Sequence, residues 1–120
     1  MKFVYVAHPI SGDVAGNIAK IKQIIRHINL TEPDVVPLAH YVVDCESLDD
    51  TVPAERERGI RNDNALLGAG FIKELRLYGD RISNGMSCEC ELAVELGIEI
   101  IPMTPGTTID FLRYIKYDSK

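Results

Sequence analysis

Phe3 to Ala7 is an unbroken apolar run that stops at His8-Pro9. Val14, Ile18, Ile21, Ile25 and Ile28 then follow at alternating spacings of four and three. An apolar run without polar alternation suits a strand buried on both faces. The spacing behind it is one stripe of an α-helix that starts at about Asp13. A buried strand leading directly into an amphipathic helix leaves few architectures open, and the same pairing recurs down the chain.

Asp34 to Ala39 reads as a second strand, short or near a sheet edge because Pro37 cannot donate to a ladder. Residues 40–52, with Asp44, Glu46, Asp49 and Asp50, read as an irregular acidic loop. Pro53 suits the first turn of a helix that runs through Glu55, Arg56, Ile60 and Leu66 towards Gly68-Ala69-Gly70. Lys73 to Tyr78 is a third strand with Leu75 and Leu77 on one face, and Gly79 to Gly85 is a turn. Glu89 to Leu96 is a helix closed by Gly97. Glu99 to Met103 is the fourth strand. Pro105-Gly106 then turns the chain into a last helix through Phe111, Leu112 and Ile115, capped by Thr107 or Thr108. This alternation predicts an α/β fold, a three-layer flavodoxin-like or Rossmann-like domain. Its parallel sheet has four to five strands, with helices on both faces. The 120 residues fit one such domain over 1–120, and 46% hydrophobic residues suffice to fill its core.

A formal net charge of -5 argues against a nucleic-acid polymer or an anionic membrane as the main partner. The opening apolar run meets polar residues by position 11, so neither a signal peptide nor a membrane span is expected. Cys45, Cys88 and Cys90 are odd in number and form no CxxC. They read as reduced thiols of a cytoplasmic protein, with Cys88 and Cys90 as packing groups.

In parallel sheets, ligands sit beyond the carboxyl ends of the strands. That singles out the loops His8 to Asp13, His40 to Asp50 and Gly79 to Ser87. In the first, His8, Ser11 and Gly12 precede a helix N-terminus, where backbone N–H groups can receive a phosphate. A plain βα turn capped by Ser11 or Asp13 explains that segment more simply. In the third, Gly85 permits close approach of a ligand. Glu89, expected to open its helix, is favoured there as the ionised form and suits a nucleophile or general base. A solvent-facing glutamate like Glu91 or Glu95 accounts for it equally well. Asp63, within Arg61-Asn-Asp-Asn, offers a second carboxylate that can divide nucleophile and acid roles with Glu89. A hydrated helix face is the alternative. No second histidine stands at ligand spacing from His8, so neither a metal nor a cofactor is expected.

Taken together and in order, three motifs resemble the nucleoside 2-deoxyribosyltransferase superfamily, which includes deoxynucleoside 5'-monophosphate N-glycosidases. They are Tyr5-Val-Ala-His-Pro, Asn62-Asp63, and Ser83-Asn-Gly85-Met-Ser-Cys-Glu89 followed by Ala93. The resemblance covers most of the chain. It implies that Glu89 attacks the anomeric carbon, that Asp63 handles the nucleobase and its proton, and that Tyr5 holds the nucleophile. Ser83 stands where transferases carry Asp and monophosphate hydrolases carry Ser, which favours a nucleotide over a nucleoside, with Ser11 and Gly12 near its phosphate. It further implies a homo-oligomer with a shared active site. His8-Pro9 departs from the family's Gly-rich turn, and the chain has no tryptophan to sandwich a base. A non-catalytic nucleotide-binding module on the same scaffold is the second reading left open.

Overall fold

The computed structural model describes residues 1–118, with side chains described through Tyr114. In chain order the elements are β1 (Lys2–Ala7), α1 (Val14–Thr31), β2 (Val35–Leu38), α2 (His40–Ser47) and α3 (Pro53–Leu67). Then come β3 (Ile72–Leu77), α4 (Asn84–Leu96), β4 (Glu99–Pro102) and α5 (Pro105–Asp118). The strands form one parallel sheet in the order β2-β1-β3-β4. The fold is the three-layer, flavodoxin-like α/β arrangement that the alternation predicts. Short β2, with its Pro37, lies at an edge.

Side-chain alternation along the central strands builds two cores. Tyr5 and Ala7 of β1 pack with Leu75 and Leu77 of β3, Leu67 of α3, and Met86, Cys90 and Ala93 of α4. Val4 and Val6 point the other way and pack with Ile28 of α1 and Val35. Each such side chain contributes about 1.5–3 kcal/mol on full burial. Ile21 and Ile28 are buried and Ile18 and Ile25 half-buried, whereas Val14 is exposed, so the helical stripe starts later than its spacing implies.

Three boundaries differ from the sequence-based expectation. Residues 40–47 are not a loop but helix α2. No side chain caps it, and its buried residues are the adjacent pair Tyr41 and Val42. It is held by tertiary contact: Tyr41 Oη donates to the Val6 carbonyl at 2.7 Å. Helix α4 begins at Asn84, so Gly85 belongs to its first turn and Glu89 to its second. Ser83 caps it, with Oγ accepting from Met86 N–H at 3.3 Å, and Gly97 ends it with φ 71° as expected. Helix α5 begins at Pro105, and Thr104 rather than Thr107 or Thr108 receives a first-turn N–H, that of Thr107 at 3.2 Å. The Ile115 side chain expected on that helix lies outside the described residues. Among the described residues no helix is long and apolar enough to cross a membrane.

Candidate active site

Three elements of the α3–α4 face bring Tyr5, Asp63 and Glu89 together. Tyr5 is fully buried in β1. Its hydroxyl donates to Glu89 Oε2, and the Asp63 carboxyl is near enough to feel it. A phenol has one hydrogen to give. While it serves Glu89, Tyr5 has no hydrogen left for Asp63. Asp63 Oδ1 is buried and has no hydrogen-bond partner among the described residues.

Burial dominates the electrostatics. It raises the Glu89 carboxyl to about 8, against the lowering effect of the Tyr5 hydrogen bond and with a further push from Asp63. The expectation that the helix dipole holds Glu89 ionised fails. The dipole fades within the first turn, and Glu89 sits beyond it in a desolvated place. Asp63 is raised to about 6, first by burial and then by Asp44, with Tyr5 and His40 opposing. Burial, then Glu89 and Asp63, push the Tyr5 phenol well above its ordinary value, so it remains a donor. The two carboxyls feel each other and titrate as a pair, and near neutrality that pair holds one proton.

Helix α2 supplies residues that the loop reading missed. Tyr41 stacks on Tyr5 with ring centroids 5.9 Å apart. Asp44 Oδ1 lies 3.4 Å from His40 Nε2, and Asp44 Oδ2 accepts from Asn62 Nδ2 at 3.3 Å. Asn62 in turn accepts from Arg58 Nε at 3.1 Å. The one sequence signal for this helix was the apolar pair Tyr41-Val42, too brief to set a period.

The remaining candidates lie apart from this cluster. His8 follows β1 on the opposite side from Tyr5 and Ala7. Its Nδ1 lies 2.7 Å from the Pro9 carbonyl. It lines a groove of about 400 Å³ along α1, with Lys20, Gln23, His27 and Tyr78. Ser11 and Gly12 are exposed. The helix end they precede is occupied by Asp13, whose Oδ1 accepts from Gly16 N–H at 3.1 Å. A Cβ on Gly16 would fall 2.1 Å from Asp13 Oδ2. Ser83 and Gly85 stand at the N-terminus of α4, on the helix that carries Glu89, and a Cβ on Gly85 would meet nothing within 4 Å. Cys90 is a buried packing thiol that burial raises to about 12, while Cys88, expected to pack, is exposed. Among the described residues no His, Cys, Asp and Glu side chains group to hold a metal ion.

Residues 2–103 match a family model described as a domain of unknown function, DUF7768. The chain belongs to the DUF7768 family. The matched span includes all four strands of the DUF7768 domain, together with Tyr5, Asp44, Asp63 and Glu89. No curated protein and no solved structure matches the chain.

Proposed function

We propose that this DUF7768 protein cleaves, or transfers at, the N-glycosidic bond of a nucleoside or nucleoside 5'-monophosphate. The observation that carries the reading is a buried pair of carboxyls in unequal environments, Glu89 bonded to the Tyr5 hydroxyl and Asp63 beside them with an unpartnered oxygen. Glycosidic chemistry uses such a pair, one group as nucleophile and one as acid. The likeness of the Tyr5, Asn62-Asp63 and Ser83-to-Glu89 motifs to nucleoside 2-deoxyribosyltransferases and monophosphate N-glycosidases points the same way.

In the form that reacts, the proton of the pair has passed from Glu89 to Asp63; the ionised Glu89 attacks the anomeric carbon as the bond to the base nitrogen breaks, and the departing electron pair takes that proton from Asp63. Proton delivery of this kind is worth ~10²–10⁴-fold. A water, or an acceptor base, then gives its proton to Asp63 and attacks the same carbon, releasing Glu89. The α4 N-terminus at Ser83 and Gly85 is the place for a substrate hydroxyl or phosphate. In this reading the protein works in the cytoplasm without a cofactor. It forms a homo-oligomer whose neighbouring subunit completes the pocket, a role for the exposed Val43, Ile60 and Val94 on α2, α3 and α4.

The test is chromatography of ribo- and deoxynucleosides and their 5'-monophosphates after incubation with wild type and Glu89→Ala, each with and without an acceptor base. Free base from wild type alone is the expected result. Equal turnover by a folded Glu89→Ala protein would remove Glu89 from the chemistry. Saturable binding without product would favour the binding module.

A further inference from the structure

We propose that Tyr41 is a positioning residue of this site, which holds the Tyr5 ring so that its hydroxyl stays on the Glu89 carboxyl. The inference rests on the glycosidic reading above, because there that hydrogen bond helps decide how readily Glu89 becomes the nucleophile.

Strand β2 ends at Leu38, opposite Tyr5, so the next residue of β1, Val6, has no strand beside it on that edge. Val6 is fully buried, and a buried carbonyl needs a donor. The Tyr41 hydroxyl supplies one at 2.7 Å, in the place a longer β2 would fill. The same side chain lays its ring beside that of Tyr5, with centroids 5.9 Å apart and planes 27° from parallel. Tyr41 therefore grips β1 at two adjacent residues, the ring of Tyr5 and the carbonyl of Val6. Both tyrosines are buried. The Tyr5 hydroxyl, at the far end of the gripped ring, donates to Glu89. A tilt of that ring moves its hydroxyl furthest, and hydrogen bonds weaken steeply with misalignment. The titratable groups that feel the Glu89 charge are Tyr5 of β1, Tyr41 of α2, Asp63 of α3 and Cys90 of its own helix. Of these, Tyr5 is the one bonded to it, and a hydrogen bond to the charged form favours that form. The proton of the pair rests on Glu89 and must pass to Asp63 before attack, so the Tyr5 bond enlarges the share of the reactive form. Tyr41 acts on the chemistry through that bond.

The variants are Tyr41→Leu, which removes ring and hydroxyl, and Tyr41→Phe, which keeps the ring and removes the hydroxyl. Each is made alone and together with Tyr5→Phe. Carbon-detected pH titration of the Glu89 carboxyl is run on the full chain without ligand. Tyr41→Leu should raise the Glu89 midpoint by about half a unit more with Tyr5 present than with Tyr5→Phe, a roughly threefold loss of ionised Glu89 that runs through the Tyr5 bond. Tyr41→Phe should show a difference of the same sign and roughly half the size, because the stack survives. In base release from the common 2'-deoxynucleoside 5'-monophosphates, kcat of Tyr41→Leu should fall about threefold at pH 7 with KM little changed, and Tyr41→Phe should recover part of the loss. Equal midpoint shifts with and without the Tyr5 hydroxyl would make Tyr41 an anchor for α2 and nothing more, and overturn the proposal. If Tyr41→Leu does not fold, equal shifts from Tyr41→Phe overturn it. A wild type that releases no base fails the glycosidic reading, while the titration still decides whether Tyr41 holds Tyr5 on Glu89.

Discussion

Ionising Glu89 works against the fold. Its carboxyl is raised from 4.5 to about 8, with burial as the main cause, so the folded protein prefers the protonated form. The stability tied to that preference is fully present below the ordinary value of 4.5. It is lost as pH climbs through about 8, where the folded carboxyl must ionise. Asp63 acts in the same direction and runs out earlier, near 6. Glu89→Gln keeps an acceptor for Tyr5 and cannot ionise. Its melting temperature should match wild type at about pH 5 and exceed it at about pH 9. The margin there should be of order 2–4 kcal/mol, roughly 5–15 °C. Calorimetry across that pH range checks this, and parallel curves for the two proteins would mean that the carboxylate is not desolvated. A residue whose removal stabilises the fold while abolishing turnover is the behaviour expected of a functional group.

Between elements, the turns beyond the carboxyl ends of the strands lock together. Gly79 has φ 92°, and a Cβ there would fall 2.5 Å from Pro9 Cδ, so the turn after β3 closes on the turn after β1. At Gly106 a Cβ would fall 2.0 Å from the Asp80 carbonyl oxygen, closing the first turn of α5 on the turn after β3. Thr104 Oγ1 donates to the Gly79 carbonyl at 2.6 Å across the same seam. Because backbone cannot swing aside as a side chain can, Gly106→Ala should cost about 2–4 kcal/mol. Urea unfolding measures it, and a loss under about 0.5 kcal/mol would show that the seam gives. This edge also marks where the sequence was legible. Strands β1 and β3 and the stripe of α1 carry unbroken periods, and Ser83 and Gly97 cap α4 with ordinary chemistry. Tyr5 and Glu89 could be picked out because each lies close to a carboxyl-edge loop, and Asp63, well inside α3, because its Asn62-Asp63 motif offered a second carboxylate. Helix α2 could not, since its fixing bond runs from Tyr41 to a carbonyl of β1 that nothing local specifies. With α2 went His40 and Asp44, and the start of α4 was placed late because Gly85 and Ser87 are weak helix formers.

Across the whole molecule, the two faces of the sheet respond to pH in opposite senses. The candidate site lies on the α3–α4 face and loses stability as pH rises. On the other face the register sets Glu74 beside Val4 and Arg76 beside Val6. Arg76 forks onto Glu32 at the end of α1, at 2.8 and 3.0 Å, and reaches Glu74 at 2.9 Å. Lys2 closes the cluster on Glu74 at 2.6 Å. Its bonds to Arg76 hold the Glu32 carboxyl below its ordinary value. Burial raises Glu74, but Lys2 and Arg76 outweigh it and the net shift is down. Lowered carboxylates give stability that is present above their ordinary value of 4.5 and is lost as pH falls through the lowered one. Arg76→Met keeps most of the buried stem and removes the charge that ties β3 to α1. It leaves Glu74 buried with Lys2 alone, so at pH 7 it should cost about 3–5 kcal/mol. The penalty should shrink at about pH 3, where the carboxylates protonate in both proteins. Urea unfolding at the two pH values, followed by far-UV circular dichroism, gives both numbers. A gap that stays constant would assign the loss to packing of the arginine stem rather than to its charge. A gap that closes in acid would show that charge joins the sheet to α1 on the face away from the site.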